Sequence, residues 1–488
     1  MDYLAFDLGA SGGKLFRGVY NGSLLALSEV HRFYNTAVAL GSGIYWDFLR
    51  IWQNLTIGLQ KANREGVSRS FGVDSFSNDF SFIDKSGELL APMRCYRDKR
   101  TARCAEAIYQ KMTRRELYGE SGNQIAPFNT LMQLAAMREE RKDAVIDAAH
   151  RLLFLPDLIA YYITGETLAE RTVSSVSQMY RFDTEDWSDT ILDTFHLPRR
   201  LFGTLIDPGT ISGKASRDFR GHLGIGGFNF VSVCEHDTAS AFLALPNDGD
   251  RAIISSGTWS LVGCEVKNPI INDYGFRHNI ANEGSFPGHH RLLLNVMGSW
   301  LLQELRADLQ ADGQDYNFVQ LEALARESSE FAFLIDVDDV RFFSPGDVRR
   351  KIRETCFARN HALPETAGQF ARCICESLAL KYRWALDKLE TLTGRKFPEI
   401  SIIGGGSKDA LICGMTADAC SRLVVAGPWE ASSLGNILAQ LLAFGEIKNI
   451  AEGRELIDRS FSQCCYYPEQ SERWEQIYMK FTEHFGLE

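Results

Sequence analysis

A short apolar strand that runs into a turn of glycine and small hydroxyl residues occurs twice in this chain, once in each half. The first is Asp7-Leu8-Gly9-Ala10-Ser11-Gly12-Gly13-Lys14, directly after Tyr3-Leu4-Ala5-Phe6. The second is Ser255-Ser256-Gly257-Thr258-Trp259-Ser260, directly after Ala252-Ile253-Ile254. Glycine lets the backbone turn tightly and come close to a ligand, and a cluster of inward N–H groups makes an anion-sized concavity. Either turn alone is also an ordinary hairpin turn of the Gly/Ser type. The pair, with an acid at the head of the first, points to two similar lobes gripping a polyphosphate.

A chain of 488 residues exceeds one ordinary core, so two large domains are expected. Hydrophobic content of 45% with 24% charged residues is that of a soluble globular protein. The net charge of −11 argues against nucleic acid as a partner, because binding a phosphate backbone needs a basic surface. Nucleotide phosphates would have to be held locally, by backbone amides, Mg2+ or single basic residues. The N-terminus lacks a basic stretch and a long apolar run, which argues against a signal peptide. The nearest approach to a membrane span, residues 152–164, is broken by Pro156 and Asp157. The 11 cysteines lack paired C-x-x-C spacing, which fits reduced thiols in a cytoplasmic protein better than a zinc site.

Residues 4–8, 14–20 and 24–33 read as a hairpin meander with Asn21-Gly22 as one turn. Leu49, Ile51, Trp52, Leu55 and Leu59 have helical spacing and predict a helix over 48–63. Strands are expected at 70–75, 80–83 and 228–233, with mostly helical segments over 101–149 and 157–163. The second half restarts the pattern, with strands at 251–255, 260–266 and 399–403 and helices at 300–309, 318–327, 367–392 and 432–444. Such a duplicated unit predicts an α/β fold of two lobes with a cleft between the copies. The expected division is 1–243, 244–455 and a C-terminal segment, 456–488, packed back on the first lobe.

Asp7 stands at the mouth of the first turn. A carboxylate there can hold Mg2+ through water beside a triphosphate, or accept turn N–H bonds. His236-Asp237-Thr238 follows the strand at 228–233 and precedes Ala239-Ser240-Ala241-Phe242-Leu243-Ala244. Asp237 or Thr238 suits a helix N-cap. Asp237 also suits the base for a substrate hydroxyl in phosphoryl transfer, at a helix N-terminus that favours incoming negative charge. The two roles are compatible. Gly404-Gly405-Gly406, after Ile402-Ile403, offers a side-chain-free surface for an adenine ring or ribose, or simply a tight strand-to-helix turn. Glu430-Ala431-Ser432-Ser433-Leu434-Gly435-Asn436 starts another helix with small residues that permit close packing.

In this order, these motifs resemble the FGGY family of carbohydrate kinases, within the actin-like ATPase superfamily. Further matching segments are Tyr96-Arg97-Asp98, Pro127-Phe128-Asn129-Thr130-Leu131, Asn295-Val296-Met297-Gly298 and Trp300-Leu301-Leu302-Gln303. The resemblance runs from about residue 3 to about residue 465. It implies two ribonuclease H-like lobes around a central cleft, and transfer of the ATP γ-phosphate to a ketose hydroxyl with Mg2+ present. The implied sugar is L-rhamnulose, accepting at its 1-hydroxyl, or a related ketose such as L-fuculose or L-xylulose.

By motif the resemblance implies Asp237 as catalytic base, with His236, Thr238, Asn295, Ser77, Asn78, Tyr96, Arg97 and Asp98 lining the sugar. It makes Ala10, Ser11, Gly12, Gly13 and Lys14, together with Gly257 and Thr258, the phosphate-binding turns. Gln303, Gly404, Gly405 and Gly406 match nucleotide contacts, and Asp7 the Mg2+ residue. Gly12-Gly13-Lys14 stands where the family more often has Ser-Gly-Arg, which keeps the charge without the guanidinium fork. Asp74-Ser75-Phe76-Ser77-Asn78-Asp79-Phe80 replaces the usual Asp-Thr-Trp-Gly-Val-Asp-Phe on the sugar side. The implied partners are small molecules, a ketose and ATP, bound by a monomer or homodimer. Two rival readings are an ATP-driven binding switch and a sugar sensor without catalysis. The His-Asp-Thr setting of Asp237 opposes the first, and intact Asp7, Asp237 and turns oppose the second. Cys356 and Cys373, on two helical segments flanking Pro364, are expected as thiols that pair only under oxidising conditions.

Overall fold

Tyr3, Leu4, Ala5 and Phe6 are all buried, because both faces of their strand are covered. In the computed structural model, which describes residues 1–141, 143–246, 249–357 and 363–487, this strand is β1 (Asp2–Gly9). It pairs antiparallel with β2 (Gly12–Tyr20), which pairs in turn with β3 (Leu25–Tyr34). On its other side β1 takes a parallel partner, β4 (Ser70–Ser75). With β5 (Thr210–Lys214) and β6 (Asn229–Ser232), the sheet order is β5-β6-β4-β1-β2-β3. α1 (Phe48–Glu65) lies between β3 and β4 in the chain and buries Phe48, Ile51, Leu55, Leu59 and Ala62. Its start is fixed by Asp47, whose carboxylate accepts from the Arg50 N–H at 3.1 Å. α2 (Leu155–Thr164) ends at Gly165 in the left-handed region that glycine adopts freely. α3 (Asp237–Leu243) follows β6.

The second sheet repeats this plan. β7 (Arg251–Ser256) pairs antiparallel with β8 (Trp259–Val266) and parallel with β10 (Glu399–Ile403), after an intervening β9 (His290–Met297). The neighbours of β7 therefore match those of β1, so the doubled sequence pattern is a doubled topology. The sheet contains, in order, β9-β8-β7-β10-β11, where β11 is Leu423–Ala426. α4 (Trp300–Ala311), the long α5 (Ala367–Thr393) and α6 (Ala410–Cys420) are its principal helices.

α7 (Ala431–Ala443) and α8 (Ile450–Ser460) belong with the first sheet. A Cβ added at Gly435 on α7 would lie 1.7 Å from the Ser240 carbonyl oxygen on α3, so close helix packing accounts for that glycine. One compact unit thus comprises Met1–Asp248, Glu265–Leu292 and Ala431–Phe461. The other comprises Gly249–Cys264, Leu293–Glu430 and Ser462–Glu488. This grouping departs from the expected division at 243/244, and from the expectation that 456–488 packs on the first lobe. Only the end of α8 does so, where the Ser460 hydroxyl accepts from the Leu25 N–H at 2.9 Å. From 462 onward the chain is drawn to the exposed edge of β11, which pairs with β12 (Cys464–Tyr466). α9 (Ser471–Phe485) follows, and its Tyr478 hydroxyl donates to Asp387 Oδ2 at 2.7 Å.

No helix among the described residues is long and apolar enough to cross a membrane. Cys356 and Cys373 are both buried free thiols.

Candidate active site

The first glycine turn is a tight hairpin: Gly9 pairs with Gly12, leaving Ala10 and Ser11 at the tip. Gly12 and Gly13 are required by the neighbouring strand. A Cβ at Gly12 would lie 2.6 Å from the Phe33 carbonyl oxygen, and one at Gly13 would lie 2.2 Å from the Phe33 ring. Asp7 faces Lys14 across β1–β2 and Asp74 across β1–β4. Residues opposite one another in a ladder share a face, so Lys14, Asp7 and Asp74 form one row.

The chain beyond β6 brings a third carboxylate to this row. Ser75 donates its N–H to the Glu235 carbonyl at 2.8 Å, and Ser75 bridges to His236. Asp237 is then the first residue of α3, with His236 at the N-cap position making no side-chain cap bond. Asp237 Oδ1 accepts from the Thr238 N–H at 2.6 Å and from the Thr238 hydroxyl at 3.2 Å. Its side chain keeps 28% of its surface open to solvent, enough for a substrate hydroxyl to reach it. Burial raises the Asp237 carboxyl above its ordinary value, against the opposing pull of His236 and the Thr238 bonds. Asp74 is wholly buried. Burial and the nearby charges of Asp7 and Asp237 push it well above the usual carboxylate range, although Asn436 opposes the shift.

The sugar-motif residues divide by role. Asp98 accepts from the Ile44 N–H at 2.8 Å, the Arg100 N–H at 2.9 Å and Arg94 Nη1 at 2.7 Å. It is buried and fully engaged in holding its loop. Arg97 is exposed and donates from Nε to the Tyr96 hydroxyl at 3.0 Å. The Tyr96 ring meets Phe76, Trp46 and Phe128 with centroids 6.1–6.4 Å away, which makes an aromatic wall. Ser77 is half-buried. Asn78 is buried with a left-handed backbone, φ 75°, a conformation that asparagine tolerates better than most residues. Asp79 accepts from the Trp46 indole N–H, and burial raises its carboxyl to about 7.

In the second unit, the Gly257-Thr258 turn rests on the start of α4. Ser299 donates its N–H and its hydroxyl to the Gly257 carbonyl, at 3.0 and 2.7 Å. Gln303 Nε2 reaches the Ser299 hydroxyl at 3.2 Å. The Thr258 carbonyl accepts from the Gly298 and Trp300 N–H groups, each at 3.2 Å. Gly404 has φ 81°, and a Cβ at Gly406 would lie 2.0 Å from Ser256 Oγ, whereas a Cβ at Gly405 would meet open space. Gly405 therefore presents bare, accessible backbone, the property a flat ligand ring needs. Asn295 is half-buried on β9.

The structure thus gathers Asp7, Asp237, His236 and Thr238 in one unit, and Gly257, Thr258, Gln303 and the three glycines in the other. Among the described residues no group of three His, Cys, Asp or Glu side chains has metal-holding geometry. A single carboxylate such as Asp7 suits an ion that keeps most of its ligands as water and phosphate, which is the habit of Mg2+. Sequence reasoning missed Asp74, although it lay inside a quoted motif. Arg291 and Glu283, which lie beside His236 at 3.2 and 3.3 Å from its Nδ1, carry no local signal in the chain.

Residues 2–244 match the N-terminal domain, and residues 252–444 the C-terminal domain, of the FGGY family of carbohydrate kinases. The chain belongs to that family. It is 36% identical to a rhamnulokinase of Bacteroides thetaiotaomicron over 98% of both chains. It is 37% identical to a rhamnulokinase of Enterococcus faecalis, covering 94% of this chain and 92% of the relative. Among solved structures, a ligand-bound xylulose kinase from Lactobacillus acidophilus aligns with a TM-score of 0.81 at 13% identity, over 99% of this chain and 98% of that one. At that identity the likeness concerns the fold, which is the two-domain actin-like ATPase fold of sugar kinases.

Proposed function

We propose that this carbohydrate kinase phosphorylates L-rhamnulose at its 1-hydroxyl, with ATP as donor and Asp237 as general base. The observation that carries the sugar assignment is the near full-length similarity to curated relatives named rhamnulokinase, at 32–37% identity. In the reaction, Asp237 takes the proton of the 1-hydroxyl while that oxygen bonds to the γ-phosphorus. The bond from γ-phosphorus to the bridging oxygen breaks, releasing ADP. His236 and Thr238 hold Asp237 and line the sugar together with Asn295, Ser77, Tyr96 and Arg97. Lys14 and the Ala10-Ser11 tip receive phosphate oxygens in the first unit. Gly257, Thr258, Gln303, Gly404, Gly405 and Gly406 hold the nucleotide in the second. Bound Mg2+ neutralises triphosphate charge, and Asp7 is the residue that would hold it, through water. The reading includes a cytoplasmic enzyme acting as monomer or homodimer.

Sugar-dependent ADP release over a panel of L-rhamnulose, L-fuculose, L-xylulose and D-xylulose tests it, with phosphorus NMR of the product to locate the ester. L-Rhamnulose should give the highest kcat/KM and a 1-phosphate. A higher value for another ketose would overturn the sugar assignment, and ADP release independent of sugar would overturn the kinase mechanism.

A further inference from the structure

His236 stands between two carboxylates and a guanidinium. Its Nε2 lies 3.5 Å from Asp237 Oδ1, and its Nδ1 lies 3.3 Å from Glu283 Oε2. Arg291 Nη2 is 3.2 Å from the same Nδ1 and 2.9 Å from Glu283 Oε2. Arg291 has no surface exposed, and Glu283 has 1%. The arginine is fixed from two further sides: its Nε donates to the Gly284 carbonyl at 2.9 Å, and its guanidinium lies over the Phe242 ring. Two ionised groups are rarely buried so completely away from the reacting atoms unless they pair or act on a neighbour. Here they do both.

A guanidinium can only donate, and a neutral imidazole has one donor and one acceptor nitrogen. With Arg291 donating to Nδ1, the hydrogen of neutral His236 must sit on Nε2, which faces Asp237 Oδ1. The Thr238 N–H and hydroxyl both donate to Oδ1, and Nε2 faces the same oxygen from 3.5 Å, beyond a formed hydrogen bond.

We propose that the buried Arg291–Glu283 pair is a positioning device for the catalytic carboxylate: it fixes the His236 tautomer, which orients Asp237 so that Oδ2 acts as the base. The inference rests on the reading of Asp237 as base. Glu283 stays ionised in this arrangement. Burial alone would raise its carboxyl, but the Arg291 guanidinium, the largest opposing influence, helps to bring it below its ordinary value. It thereby balances the arginine charge and keeps His236 from competing with a full positive charge behind it. Facing Asp237 are also the carboxyl group of Asp74 and, through Asp74, that of Asp7; facing Arg291 are Cys234 and Glu170. These remain unchanged in the variants below.

The direct test is nitrogen-15 NMR of the wild-type protein labelled at histidine, with His236 assigned by its disappearance in His236→Gln. The resonances should report a neutral ring with hydrogen on Nε2. Hydrogen on Nδ1 would overturn the proposal, while the kinase assignment would stand. A second test compares two double variants that each remove both charges. In Arg291→Met with Glu283→Gln, the glutamine amide can donate to Nδ1 in place of the arginine. In Arg291→Met with Glu283→Leu, no donor remains. The leucine variant should lose about tenfold more in kcat than the glutamine variant, a fraction of the roughly 10²–10⁴-fold that a general base contributes. Its KM for ATP should match that of the glutamine variant, and the acidic limb of its kcat profile should move to higher pH. Equal losses in the two variants, with the acidic limb unmoved, would reduce the pair to a structural role.

Discussion

The side-chain amide of Asn436 donates to Asp74 Oδ2 at 2.7 Å, across 362 positions of sequence. This bond fastens α7 to the strand beside Asp7. Asp74 Oδ1 is buried with no hydrogen-bond partner among the described residues, and the acid is held well above its ordinary range. Asp74 therefore holds its proton to higher pH than an ordinary aspartate does. Asn436→Leu, which leaves buried polar groups unpaired, should cost about 1–3 kcal/mol in urea unfolding. Asp74→Asn, a neutral group of the same shape, should cost less. A larger loss for Asp74→Asn would mean that the native acid is ionised.

Asp237→Asn preserves the bonds that Oδ1 accepts from Thr238 but removes the base. Melting temperature and ATP binding should stay near wild type, while sugar-dependent turnover should fall about 10²–10⁴-fold. Turnover near wild type would leave Asp237 as a helix-end acceptor only.

Stability should fall as pH rises, because Asp157, Glu170 and Glu235 form a fully buried carboxyl group cluster. Burial raises all three, Glu170 to about 7, and at Asp157 and Glu235 the charges of their neighbours in the cluster add to the rise. Groups raised in the folded state bind more protons there than in the unfolded chain. Their stabilisation is complete below the unfolded values near 4 and is lost as pH passes through the folded values. For Glu170 alone the shift corresponds to roughly 3 kcal/mol. Neither oxygen of Glu235 has a hydrogen-bond partner among the described residues. Glu235→Gln should therefore flatten the decline in melting temperature between about pH 5 and about pH 8. An equally steep decline in the variant would remove Glu235 from the titrating set.

Ser77 and Asn78 should separate into a sugar-facing and a backbone role. Asn78→Gly should fold normally, since glycine accepts φ 75° freely, whereas Asn78→Val should lose about 1–3 kcal/mol. Ser77→Gly should change the ranking of ketoses by kcat/KM without changing stability. An unchanged ranking would remove Ser77 from specificity.

Much of this arrangement was legible in the sequence wherever a local pattern sufficed. The apolar run before Asp7, its repeat before Ser255 and the helical spacing from Phe48 each specify an element unaided. The hairpin of Ala37–Leu40 and Gly43–Trp46 went unread because its first strand is exposed throughout and shows no alternation. Trp46, at its end, nevertheless reaches Asp79 and the aromatic wall. By motif Gly12 and Gly13 belong to a phosphate-binding turn, and both are also required by Phe33, a residue about 20 positions away that only the fold brings near. Arg291 and His236 are 55 positions apart, and nothing in either neighbourhood announces that a buried guanidinium will meet an imidazole.

The interleaved composition of the first unit bears on how the protein is made. Gln440, on the last of its three stretches, donates to the Leu4 carbonyl at 2.9 Å and accepts from the Ser70 hydroxyl at 2.6 Å. A ribosome delivers β1 and β4 long before it delivers α7, and domains generally mature as units during synthesis. The nascent chain must therefore hold an uncovered apolar sheet while the whole intervening part of the second unit is translated. Assembly of the half that bears Asp237 waits on residues synthesised some two hundred codons after it.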